Sequence, residues 1–310
     1  MTPAQLSRTV LHSLHGAVAD AGRRVTLPER VVIESPPRRG SGDYATGAVL
    51  RAARAARLDA EPLARRLARG LAERPGIAHV EVSGPGFLNV TLDGAGRAAL
   101  VRELAGGSAG GAEHTGNAGP SRGHDATPGA DPGAYGAAAR TVPGAPSAPD
   151  PYPAATGDAP ARDAAAWAAA TGEDPAALLV RTDASALFRV QYAHSRARAL
   201  LHNGAALGLR PEPGAGGHGY AGPAERRLLA LLADTARVAG AGDPGRLARH
   251  LDAAAGALRD LHDDRHEGCL PRGDEKPGAA HRARLALAEA AGTVLAGGLS
   301  QLGVTAPAHL

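Results

Sequence analysis

The chain has 310 residues, 44% hydrophobic and 21% charged, with a formal net charge of +3, enough for two ordinary domains with aliphatic cores. Cys269 is the only cysteine, which excludes an intrachain disulfide. No run approaches the roughly 18–20 apolar residues of a membrane span and the N-terminus lacks a signal-like apolar stretch, so a cytoplasmic protein is expected.

Leu6, Val10, Leu14 and Val18 recur every four residues, the apolar face of a first helix. Arg30-Val-Val-Ile-Glu34 reads as a short strand ended by Ser35-Pro36-Pro37. Asp43 to Leu58 reads as a second helix. Pro62 suits the first turn of a third, where its missing N–H costs nothing. That helix turns Leu63, Leu67 and Leu71 inward and Arg65, Arg66 and Arg69 outward. Val80 to Leu92 alternates around Gly84-Pro85-Gly86, a strand–turn–strand unit. Leu88, Val90 and Leu92 share one strand face; Phe87, Asn89 and Thr91 share the other. An aromatic ring beside an amide on a polar face can stack a base and bond its edge. Phe87 packed under a helix, with Asn89 capping a turn, is the alternative. Residues 1–104 carry 15 Arg against 10 acids, so a basic α+β domain is expected, with an affinity for polyanions.

Residues 105–162 contain 9 Pro and 12 Gly in 58 positions, and Val142 is their only Val, Leu, Ile or Phe. Such a stretch cannot bury enough apolar area to offset its ordering entropy. It reads as a disordered linker.

Residues 163–310 read as an all-α helical bundle. One helix spans Asp183 to about Asn203, with Leu187, Val190, Ala197 and Leu201 inward. Arg189, Tyr192 and Arg196 lie along its outer flank beside His194 and Arg198, a set suited to phosphate and a stacked base and equally to a salt-bridged face. A helix from about Ala224 carries Leu228, Leu231, Leu232 and Val238. Asp243-Pro244 opens the next, with Leu247, Leu251, Ala254, Leu258 and Leu261. The last carries Leu285, Ala288, Gly292, Leu295, Leu299 and Leu302. These four-and-three spacings are bundle seams. Basic and acidic residues balance here at 16 each.

His262 and His266 stand at i and i+4, with Cys269 nearby, a spacing that can ligate zinc. The residue after the first His is Asp263, not the Glu of zincins, and no metal site is expected. No phosphate-binding G-x-x-x-x-G-K-[ST] loop, no strand–GxGxxG–helix unit and no nucleophile-elbow serine occurs. No catalytic residue and no cofactor is expected.

Ser41-Gly-Asp-Tyr-Ala-Thr46, the Pro62 helix and Val80-Glu-Val-Ser-Gly-Pro-Gly-Phe-Leu-Asn-Val90 together resemble the N-terminal additional domain of arginyl-tRNA synthetases. Phe188-Arg-Val-Gln-Tyr-Ala-His-Ser-Arg196 is similar to the start of their DALR anticodon-binding bundle. The large Rossmann-type catalytic domain that the family carries between these parts, with its HIGH and KMSKS signatures, has no counterpart here. The resemblance therefore implies a non-catalytic tRNA-binding protein. Its parts would be residues 1–104, the linker 105–162 and the bundle 163–310. It implies that Phe87 and Asn89 contact a D-loop nucleotide, and that Gln191, Tyr192, His194 and Arg196 meet the anticodon stem and loop. The expected partners are tRNA, with arginine tRNA the candidate, and a full-length arginyl-tRNA synthetase; neither DNA nor a membrane is expected. Gly47 stands where the family commonly has Asn. Leu258 and His262 stand where it usually has aromatics, and Leu310 replaces a C-terminal Met or Tyr. A protein-docking module with vestigial RNA binding is the alternative.

Overall fold

A computed structural model describes residues 1–23, 25–36, 41–106, 160–264 and 268–310. The first helix, α1 (Pro3–Asp20), starts with a capping box in which Thr2 and Gln5 satisfy each other's backbone N–H. Then follow β1 (Tyr44–Thr46), α2 (Ala48–Ala56), α3 (Ala60–Ala72), β2 (Ile77–Ser83), β3 (Phe87–Leu92) and α4 (Gly94–Ala105). The strands form an antiparallel sheet ordered β1-β3-β2. Leu88, Val90 and Leu92 are buried, as are Leu63, Leu67 and Leu71 of α3 and Leu6, Val10 and Leu14 of α1. These alternating and four-residue spacings meet in one aliphatic core, with α3 packed on β2 and α1 on α3.

Two expected elements differ. Arg30–Glu34 is not a strand; it makes a single bridge, Glu34 to Ala45. Neighbouring side chains take its backbone groups instead. Ser7 Oγ bonds both Val31 N and Val31 O, and Thr46 Oγ1 donates to Val32 O. The helix expected from Asp43 starts at Ala48, because Tyr44–Thr46 pairs with β3. Asp43 Oδ2 accepts Leu92 N at 2.7 Å, and Tyr44 and Thr46 are buried. Gly42 has φ +99°, and a Cβ there would lie 2.9 Å from Val90 O, so only glycine lets this loop reach β3.

The C-terminal part contains α5 (Pro160–Thr171), α6 (Pro175–Leu178), α7 (Ala186–Ala206), α8 (Pro223–Gly240), α9 (Pro244–Asp263) and α10 (Ala279–Gln301). It is a helical bundle in which α9 packs on α8 and α7, and α10 packs on α7, α8 and α9. The seams are those the leucine spacing predicts, and glycine closes them. A Cβ at Gly298 of α10 would lie 2.4 Å from Leu251 of α9, and one at Gly204 of α7 would lie 2.7 Å from Leu285 of α10. The fold is thus α+β at the N-terminal side and all-α at the C-terminal side. Residues 107–159, most of the expected linker, lie outside the described residues; α5 begins inside the 105–162 span, at Pro160.

Helix α4 has no counterpart in the sequence reading, and it joins the two parts. It packs along α10, with Thr293 Oγ1 donating to Ala105 O at 3.3 Å. Arg97 bridges Asp43 of the N-terminal part (3.1 Å) and Gly219 O of the bundle (3.3 Å). Behind this seam lies a buried charge cluster. Glu225 accepts from Arg284 Nε at 2.9 Å and lies 2.6 Å from His218 Nε2. No described helix is long and apolar enough to cross a membrane.

Candidate nucleic-acid interface

Alternation along β3 sends Phe87, Asn89 and Thr91 to the face that α3 leaves open. Ser83, Glu81 and His79 of β2 stand opposite them in register, and all three are exposed. Phe87 is 47% exposed, so it is not packed under a helix. Its ring lies against Gly47. Asn89 is on the same face yet only 6% exposed. On the same side of the chain, Ser41 Oγ donates to the Glu81 carboxylate. Ser41 precedes β1 and Glu81 is on β2, so this bond links the segments on the two sides of β3.

Arg65, Arg66 and Arg69 line the side of α3 turned away from its buried leucines, and hence away from the sheet. The structure does not bring them to Phe87. Arg65 pairs with Glu61, and Arg66 with Asp20 at 2.6 Å. Both pairs are exposed, where such pairs contribute little and yield to a phosphate. Arg69 is exposed and forms no ion pair among the described residues.

On the bundle, Tyr192 is 43% exposed and stacks on Phe188, with ring centroids 5.6 Å apart. The pair lies at the mouth of a groove of about 660 Å³ between α7 and α9. Ala255 and Gly256 contribute to its lining, where larger side chains would fill it. Arg196 reaches His262 Nε2 at 2.5 Å. Burial, and then Arg196, hold the His262 imidazole below its ordinary pKa, so it stays a neutral acceptor for that guanidinium. Arg189 is clamped by Asp252 through two 2.8 Å bonds, which raise its pKa. Arg227 and Arg259 also line the groove. They went unnoticed in the sequence because they come from α8 and α9, and no spacing links them to Tyr192.

Gln191 and His194 point elsewhere. Gln191 Nε2 donates to Asp163 and to Thr305 O, at 3.0 and 3.1 Å. His194 is 1% exposed, with Nδ1 2.9 Å from Pro307 O. Ser195 Oγ donates to Ala308 O, and Asp163 accepts from Thr305 N and Thr305 Oγ1. These residues hold residues 304–308 across α7 and α5. One helix face thus holds the tail, and the next presents Tyr192 and Arg196.

His266 and Glu267 lie outside the described residues, so the His262–His266–Cys269 spacing has no described geometry. Cys269 is buried, which pushes its thiol pKa up to about 12. Among the described residues no group of three or more His, Cys, Asp or Glu is placed to hold a metal ion.

Two family models match the chain. The arginyl tRNA synthetase N terminal domain matches residues 6–92, and the DALR anticodon binding domain matches residues 190–310. The first match includes the open sheet face and α3. The second includes most of the groove lining and the strapped tail.

Proposed function

Because this chain is arginyl-tRNA synthetase-related through both matched domains, we propose that it is a non-catalytic tRNA-binding protein of the cytoplasm, a carrier of tRNA or a modulator of arginyl-tRNA aminoacylation. The observation that carries the reading is a half-exposed aromatic in each matched domain, Phe87 on an open sheet face and Tyr192 at a groove. Aromatics so placed stack unpaired bases, and nearby arginines meet the phosphates. Residues 93–189, the 97 between the matches, include α4, α5 and α6. That leaves little chain for a large nucleotide-binding catalytic domain. Arginine tRNA and a full-length synthetase are the partners this reading favours.

The test is titration of the purified protein with total tRNA at two salt concentrations. Binding that weakens steeply with salt is expected, because phosphate contacts release counterions. Absence of binding at low salt would refute it. A second reading, a protein-docking module, is favoured by the internal use of Gln191 and His194 and by the paired Arg65 and Arg66. It would be supported by capture of the full-length synthetase without tRNA.

A further inference from the structure

The two edges of the sheet differ. At β1, Glu34 N donates to Ala45 O at 2.9 Å and Ala45 N donates to Glu34 O at 2.7 Å, which closes that edge. Backbone groups of alternate residues point to opposite sides of a strand. Tyr44 and Thr46 therefore turn theirs toward β3, where they stand opposite Val90 and Leu88. Phe87, Asn89 and Thr91 bond instead toward β2, where they meet Ser83, Glu81 and His79. That leaves the N–H and C=O groups of Val80 and Val82 directed away from the sheet. β2 is the outer strand, and among the described residues no backbone group bonds to theirs from beyond it.

An open edge of this kind accepts a further strand. Natural edges commonly resist this with Lys or Pro, and Ile77–Ser83 contains neither. Ala78, His79, Glu81 and Ser83 are exposed and Val82 is half-buried. The irregularity of the ladder lies between Ile77 and His79 and leaves His79–Ser83 regular.

The side chains select the strand that fits. Val80 is the midpoint of Ile77–Ser83. A second copy paired antiparallel about a two-fold axis at Val80 overlaps the whole strand, and the two Val80 residues exchange N–H···O bonds. His79 then stands opposite the second copy's Glu81, and Glu81 opposite its His79. These are the closer, non-hydrogen-bonded positions, with Cα atoms about 4.5 Å apart. An imidazole N–H donates to a carboxylate, and Glu81 has an oxygen to spare. Ser41 Oγ uses Oε2, and Oε1 has no partner among the described residues. Moving the axis one residue, to Glu81, would set the two Glu81 carboxylates against each other, which is unfavourable.

We propose that β2 is a dimerisation edge, through which two copies of this chain join their three-stranded sheets into one antiparallel sheet. The two-fold axis stands perpendicular to the sheet, so both Phe87 rings stay on one face and pairing leaves that face open. The dimer does not depend on tRNA binding, and neither conclusion falls with the other.

The experiment is sedimentation of the full chain, freed of nucleic acid by nuclease, over a range of concentrations. A reversible monomer–dimer equilibrium is expected, with a Kd on the order of 10 µM, because one strand pair is smaller than a standard interface. His79→Glu sets carboxylate against carboxylate, and Glu81→His sets imidazole against imidazole. Each is expected to weaken the dimer about tenfold, since symmetry counts every altered pair twice. The two changes in one chain exchange the partners and are expected to restore the wild-type Kd. In the wild type alone, amide exchange at Val80 and Val82 should slow as concentration rises. A monomer at every concentration, a dimer that both single variants leave unchanged, or a dimer without slower exchange at Val80 and Val82 would overturn the proposal. A double variant that stays as weak as the single ones would overturn the Val80 register and its His79–Glu81 pairs.

Discussion

The Phe87 ring lies against the backbone of Gly47, so closely that a Cβ at Gly47 would come within 2.9 Å of Phe87 Cε1. Glycine at this position lets the ring approach the backbone just past β1. The Asn that the family commonly carries there would push it away. The chain thus presents a ring alone at this point.

Replacing Phe87 by Ala should therefore lower tRNA affinity with little loss of stability. A base stacked on an aromatic contributes about 1–3 kcal/mol, so a loss of roughly tenfold is expected. The melting temperature should hardly move, because the ring is half exposed already. Gly47→Ala should fold, displace the ring and give a smaller loss. Affinity and melting temperature measured on the same samples check this. A strong drop in melting temperature with unchanged affinity would place Phe87 among core residues instead.

The three arginines of α3 should act through charge, and unequally. Arg69→Ala should reduce the slope of log affinity against log salt by about 0.7–0.9, the value for one phosphate contact. Arg65→Ala and Arg66→Ala each also release a carboxylate, Glu61 or Asp20, and should weaken binding further at low salt. Phe87→Ala should leave the slope unchanged. Titrations at four salt concentrations separate these effects.

Stability should depend on acid through Glu225. Burial by itself raises its pKa, but the bonds to His218 and Arg284 overcome this and bring it down to about 2 from an ordinary 4.5. A carboxylate with a lowered folded pKa contributes stability that is complete above about pH 4.5 and lost as pH falls toward 2. A shift of this size corresponds to about 3 kcal/mol. Urea unfolding at pH 5 and below should show that loss in the wild type and not in Glu225→Gln. The variant should be less stable at pH 7 by roughly 3–5 kcal/mol, because Arg284 loses its buried partner.

Asp163→Ala should free the tail. It removes the acceptor for Thr305 N, Thr305 Oγ1 and Gln191 Nε2. Carboxypeptidase should then trim residues 304–310 faster, while the helical circular dichroism persists. An unchanged trimming rate would mean that the His194 and Ser195 contacts hold the tail by themselves.

The sequence by itself determined the elements whose side chains repeat. Leu247, Leu251, Leu258 and Leu261 set one seam, and Leu63, Leu67 and Leu71 another, because a helix buries every third or fourth residue whatever its surroundings. Val80–Leu92 was legible as a hairpin because alternation and Gly84-Pro85-Gly86 are local signals. What tertiary structure decided was every property that depends on a partner far along the chain. Tyr44–Thr46 is a strand only because β3 lies beside it. His194 is interior because Pro307 returns to it. Spacing places a residue on a face; which faces are covered, and by what, is set by contacts between residues distant in the chain.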